Sequence, residues 1–172
     1  EGERAYQLIS GEVKESYLGV VLQYDTEREL EPSVKTAGRK QAATKPANAV
    51  RVGMIGAGTY AKAMLLPPLK AAGVEFKTIA TASGLSARDI AERYQFERCA
   101  SDAGEVINDD DVNLVVVATR HDTHAELARL ALERNRHVFV EKPLALTEEE
   151  LERVIAAAEK SEGRLMVGFN RR

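Results

Sequence analysis

The sequence predicts an α/β protein built on a doubly wound parallel sheet, with a short N-terminal helix–strand appendage. Three observations predict it. From Val50 onward, strand-length apolar runs alternate with helical stretches through short connections, the order that places helices on both faces of a parallel sheet. Asn113-Leu114-Val115-Val116-Val117-Ala118 is apolar without interruption after its first residue and β-branched, as a strand buried on both faces must be. The opening run, Val50 to Ile55, leads directly into the Gly-rich turn Gly56-Ala57-Gly58 and then into helical residues.

Composition sets the outer bounds. The chain has 172 residues, 44% of them hydrophobic and 30% charged, so wholesale disorder is excluded. Lys plus Arg is 24 against 27 Asp plus Glu, and the resulting charge of −3 argues against a nucleic-acid module. No apolar run approaches the roughly 18 residues of a membrane span, so no membrane association is expected. Glu1-Gly2-Glu3-Arg4 has neither the basic nor the apolar region of a signal peptide. Cys99 is the single cysteine, which excludes an internal disulfide and points to a reducing compartment, the cytoplasm.

The elements follow in order. Glu3 to Ser10 reads as a helix stopped by Gly11, and Tyr17 to Tyr24 as a β-branched and aromatic strand. Residues 25–49 carry almost no apolar periodicity and are punctuated by Pro32 and Pro46, so they read as a linker. After Val50–Ile55, a helix is expected to about Ala72 and a strand over Glu75 to Ala82. Ser86 opens a helix through Ile90 and Tyr94, and a short strand lies near Arg98 to Ala100. Asp102 with Glu105, Thr123 with Glu126 and Thr147 with Glu150 each have capping-box spacing. Asn135 stands where a helix stops in a left-handed turn, before a strand over His137 to Val140. In the last helix Leu151, Val154, Ile155 and Ala158 fall at i, i+3, i+4 and i+7, and a sixth strand runs from Arg164 to Phe169.

In such sheets ligands sit beyond the carboxyl ends of the strands, so the residues there are the candidates for function. Gly56-Ala57-Gly58-Thr59-Tyr60-Ala61 reads G-x-G-x-x-A. Gly56 permits the tight turn, Gly58 lets a pyrophosphate approach the backbone, and Ala61 lets the helix pack closely on the strand. The amides at the helix start, at Thr59 and Tyr60, then face the phosphates. About 20 residues on, a dinucleotide fold usually offers an acid to the adenosine ribose. This chain offers Thr81 and Ser83 and no carboxylate, which admits NAD or NADP and favours NADP, with Arg88 as a further charge. Thr119-Arg120-His121-Asp122-Thr123-His124 follows the Leu114–Ala118 run. Its histidines are candidates for acid–base work, but their spacing lacks the i, i+4 face of a helical zinc pair, so no metal is expected. Glu141-Lys142-Pro143 ends the His137–Val140 strand, where Lys142 can donate to a substrate oxygen or a ribose hydroxyl with Glu141 holding it.

Together Gly56-Ala57-Gly58, Thr119 to His124, Glu141-Lys142-Pro143 and Val167-Gly168-Phe169-Asn170-Arg171-Arg172 resemble the glucose–fructose oxidoreductase/inositol dehydrogenase (Gfo/Idh/MocA) family over about Ala49 to Arg172. The resemblance implies a Rossmann domain (50–169) of an NAD(P)-dependent sugar or polyol dehydrogenase, with residues 170–172 leading into a substrate domain. It implies Lys142 beside the nicotinamide and substrate, a cis bond before Pro143, and Thr119 and His124 flanking the cofactor. His121 departs from the Asn common in the family, and Asn135 from a usual Gly. The first 24 residues are similar to the last helix and strand of medium-chain, zinc-type alcohol dehydrogenases, which implies the tail of a preceding dehydrogenase. The expected partners are a sugar-like small molecule and, for assembly, a further copy of the chain. A rival reading is a non-catalytic sensor of cofactor level acting through a partner. A methyltransferase is disfavoured because it leaves Glu141-Lys142-Pro143 unexplained.

Overall fold

In a computed structural model that describes residues 2–22, 33–36, 49–82 and 84–169, the chain forms two compact units, Glu1–Leu30 and Glu31–Arg172. In the first unit, α1 (Gly2–Ser10) ends at Gly11, whose φ of +80° is the left-handed stop the sequence implies. Residues 17–22 are irregular rather than a strand, with Leu18 and Val21 exposed. A strand persists only when a neighbour satisfies its backbone, and the described residues of this unit hold a helix alone. The expected helix–strand appendage is therefore corrected to a helix followed by an irregular segment.

The second unit begins with β1 (Ser33–Lys35), inside the stretch expected as linker. Then come β2 (Arg51–Ile55), a helical segment ending in α2 (Leu66–Ala71), β3 (Glu75–Ala80) and α3 (Gly84–Tyr94). β4 (Arg98–Ala100), α4 (Ala103–Ile107), β5 (Leu114–Val117) and α5 (His124–Glu133) follow. The chain continues through β6 (His137–Glu141), α6 (Glu148–Lys160) and β7 (Leu165–Gly168). The strands lie in the order β1-β4-β3-β2-β5-β6-β7, all parallel except β1, which runs antiparallel to β4. Without β1, this is the Rossmann order, whose reversal falls beside β2.

Local chemistry explains the elements. Val115 and Val117 point to one face and Val116 to the other, so both sides of the sheet acquire a core. On one side α5 and α6 bring Ala128, Leu132 and Val154; on the other, Leu66, Ile79, Ile90 and Phe96 pack with Met54. Each of these side chains larger than alanine contributes roughly 1.5–3 kcal/mol on burial. Gly53 is required in β2 because a Cβ there would meet Val106 Cγ1 at 2.5 Å and Val112 Cγ1 at 2.9 Å. Residues Ala61–Leu65 widen into a π-turn before α2, where Pro67 and Pro68 lack the amides that an α-helical register would use.

The caps divide. Asp102 and Thr147 cap their helices, Asp102 through the Gly104 amide and Thr147 through the Glu150 amide, but neither closes a full capping box: the Asp102 bond goes to Gly104 rather than Glu105, and the Glu150 carboxylate accepts from Leu146. Asn135 is left-handed at φ +56°. Thr123 does not cap α5: its hydroxyl donates to the Arg120 carbonyl at 2.8 Å, and Glu126 turns to Arg129 instead. Among the described residues, no helix is long and apolar enough to cross a membrane.

Candidate cofactor site

The paired registers bring Ile55, Ala80 and Val117 level, so the turns that follow β2, β3 and β5 open at one end of the sheet. Three backbone hydrogen bonds tie these ends together and to β4: the Gly56 amide donates to the Ala80 carbonyl (2.8 Å), Thr81 to Ala100 (3.2 Å) and Ala118 to Ile55 (2.8 Å). Above these bonds lies a cleft of about 870 Å³.

The two glycines of the turn do different work. Gly56 has φ +86°, and a Cβ there would lie 2.7 Å from the Ala118 carbonyl carbon and 2.9 Å from Thr119 Cγ2. It closes the floor. A Cβ on Gly58 would meet nothing within 4 Å, because this residue borders open cleft. That opening suits a bulky group brought close to the backbone, the role expected for the second glycine of a dinucleotide turn. The Lys62 amide donates to the Gly58 carbonyl at 3.1 Å, which starts the helix there.

Of the residues expected from sequence, Gly56, Gly58, Thr81, Thr119 and Arg120 line the cleft. Thr59, Tyr60 and Ala61 form the first helical turn beside it, with Ala61 only 1% exposed against the sheet. Ser83 lies outside the described residues. Arg88 pairs with Glu92 at 3.0 Å on the exposed side of α3. The cleft also gathers Ser86, Ser101, Asp122, Thr123, Glu126 and Leu127, none of which was singled out as a cofactor contact. A signal for them existed, since they follow β3, β4 and β5, but only the sheet order shows that those ends meet. Arg129 hydrogen-bonds Glu126 and holds its carboxyl below the ordinary carboxylate range, so the Glu126 charge on the rim is paired with the guanidinium. Thr119 Oγ1 lies 2.6 Å from Thr123 Oγ1, joining the β5 end to the start of α5.

Three expected contacts sit elsewhere. His124 is 1% exposed and does not line the cleft: Nδ1 lies 2.8 Å from the Pro143 carbonyl and Nε2 3.2 Å from the Thr119 carbonyl. Its place at the first residue of α5 turns the ring inward. Glu141 is buried with Oε1 unpartnered, whereas Lys142 is exposed, and the two form no ion pair. Successive residues leaving a strand project to opposite sides, so Glu141 does not hold Lys142. The Lys142–Pro143 peptide is cis, as the resemblance implied. Burial raises the Cys99 thiol above its ordinary pKa, which leaves it an inert core residue of β4. Among the described residues, no group of three His, Cys, Asp or Glu could hold a metal ion.

A parallel sheet in this order, with a glycine-floored cleft at its reversal, defines a nucleotide-binding Rossmann protein. The chain belongs to the Gfo/Idh/MocA oxidoreductase family with an NAD-binding Rossmann fold, which matches residues 50–169. It is 37% identical over 132 residues to levoglucosan dehydrogenase of Pseudarthrobacter phenanthrenivorans, covering 72% of this chain and 34% of that one. It is 34% identical over 131 residues to inositol 2-dehydrogenase of Salmonella typhimurium, covering 75% and 38%. Its fold is similar to that of KijD10, a 3-ketoreductase from Actinomadura kijaniata in complex with NADP, with a TM-score of 0.66 and 33% identity over 71% of this chain and 39% of that one. The chain thus spans little more than a third of the relatives it matches. The strand on which the likeness of the first 24 residues to zinc-type alcohol dehydrogenases partly rested is irregular over residues 17–22.

Proposed function

We propose that this chain is the cofactor-holding part of an oxidoreductase that moves hydride between NAD or NADP and the carbinol of a sugar or polyol. The observation that carries this reading is the contrast between Gly56, closed against the Ala118 carbonyl, and Gly58, open to the cleft. When bound, the nicotinamide supplies the hydride chemistry. The chain's own residues supply position. Gly58 and the amides of Thr59 and Tyr60 face the pyrophosphate, and Thr119 and Arg120 form the wall at the β5 end. Lys142, exposed at the end of β6, orients a substrate oxygen. Thr81, Ser86 and Ser101 offer hydroxyls at the adenosine end, with no carboxylate at the end of β3. NADP is therefore accepted at least as well as NAD. The relatives named above are dehydrogenases or a ketoreductase, so catalysis is better supported than cofactor sensing. The lone buried cysteine suits a reducing compartment, and we assign the protein to the cytoplasm.

Titration of the chain with NADH and NADPH, followed by reduced-nicotinamide fluorescence, tests this reading. Saturable binding of at least one is expected. Binding of neither at millimolar concentration overturns it.

A further inference from the structure

His124 stands apart from the other polar residues of the site. It is 1% exposed and outside the cleft, and both ring nitrogens face backbone carbonyls from different strand ends. A carbonyl oxygen only accepts, so each contact is satisfied when the facing nitrogen carries a proton. The nearer contact, 2.8 Å from Nδ1 to the Pro143 carbonyl, fixes the turn that begins one residue earlier at Lys142. The other, 3.2 Å from Nε2, reaches the carbonyl of Thr119, whose residue lines the cleft. Thr119 is also bonded through its hydroxyl to Thr123, and the His121 ring stands edge-on 5.7 Å from His124. The imidazole is thus a buried crossbar between two segments that no strand pairing joins beyond Val117↔Val140.

We propose that His124 is a positioning residue: its imidazole fixes the cofactor-cleft wall at Thr119 against the Lys142 turn through the Thr119 and Pro143 carbonyls. The proposal rests on the cofactor reading above in one respect, that Thr119 and Lys142 act on the same bound dinucleotide and substrate. It does not require His124 to touch either molecule.

Three measurements, on the wild-type chain and three variants, test it. Long-range ¹H–¹⁵N NMR of the unsubstituted chain is expected to show a proton on both Nδ1 and Nε2, because each faces a carbonyl that only accepts; a bare nitrogen at either position overturns the proposal without any variant. The variants are His124→Leu, His124→Asn and His124→Gln, since the Asn amide stands near the place of Nδ1 and the Gln amide near that of Nε2. Amide hydrogen exchange is read over residues 118–123, 140–146 and 150–158. His124→Leu is expected to speed exchange about tenfold in the first two segments and to leave the third unchanged. His124→Asn should recover protection in 140–146, and His124→Gln in 118–123. A purely structural histidine gives no such split: equal loosening of all three segments in every variant, or no change in any, overturns the proposal. NADH or NADPH affinity should also fall about threefold to tenfold in His124→Leu. If the wild-type chain binds neither nucleotide, the cofactor reading fails on its own, and the exchange and NMR results still decide the crossbar.

Discussion

Lys77 Nζ lies 2.6 Å from Glu97 Oε1 and 2.9 Å from a Glu75 oxygen, with the lysine side chain only 5% exposed. The pair joins the middle of β3 to the residue before β4, under the edge that β1 covers. Burial works against the lysine charge, but the hydrogen bonds and charges of Glu97 and Glu75 outweigh it and raise its pKa above 10.5. A raised pKa contributes stability that is complete below the unfolded value and is lost as pH climbs through the folded one. Urea unfolding should therefore show an alkaline loss of stability above about pH 10.5 that Lys77→Ala abolishes. At pH 7 the same substitution should cost about 2–3 kcal/mol, less than a fully buried pair because both carboxylates keep some water. An identical alkaline profile in the variant would contradict this.

The two glycines of the turn separate folding from binding. Gly56→Ala must place a side chain at φ +86° against the Ala118 carbonyl, and should destabilise the chain by about 3 kcal/mol. Gly58→Ala meets open space and should leave the unfolding free energy within about 0.5 kcal/mol of wild type. Its affinity for reduced nicotinamide dinucleotide should nonetheless drop at least tenfold. Equal affinities before and after Gly58→Ala would remove the cleft from consideration as the cofactor site.

Cofactor choice follows from the end of β3. With Thr81 there and no carboxylate, nothing repels a 2′-phosphate, so paired titrations should give NADPH an affinity equal to or above that of NADH. A tenfold preference for NADH, about 1.4 kcal/mol, would show that an acid reaches the ribose from elsewhere, Asp89 being the nearest in sequence.

Lys142 is exposed and off the cleft, so Lys142→Ala should leave the chain's dinucleotide affinity within about threefold. The chain itself should bind cofactor without oxidising a polyol. Efficient transfer needs the carbinol held in place, and such positioning is worth roughly 7–11 kcal/mol of barrier. Joined to the remainder that its relatives possess, the same substitution should cripple turnover. Steady formation of reduced nicotinamide from any polyol by the 172-residue chain, read by absorbance, would relocate the active site.

Periodic burial was legible; pairing at a distance was not. Val115, Val116 and Val117 declare a two-sided strand from their own chemistry, and Asn135 a left-handed stop. β1 could not be read, because three residues without alternation become a strand only when β4 supplies the partner. Tyr17 to Leu22 shows the converse, strand-forming residues without a partner strand among the described residues of their unit. Within the site, Gly56 and Gly58 are encoded locally by their spacing. Ser101 reaches the same cleft only because β4 lies beside β3, and His124 leaves it because α5 turns its ring toward Pro143.

The short antiparallel β1 has a consequence for how molecules of this protein meet in solution. The outer edge of β4 would otherwise present unpaired amides and carbonyls, a template on which another chain could lay a strand. Ser33, Val34 and Lys35 occupy that edge, and the Thr36 hydroxyl fastens the end by donating to the Phe96 carbonyl. The replacement edge is three residues long and carries a lysine, too short and too charged to recruit a neighbour. A chain trimmed beyond residue 36 would keep its cofactor cleft and still become sticky, forming concentration-dependent, β-rich aggregates through β4.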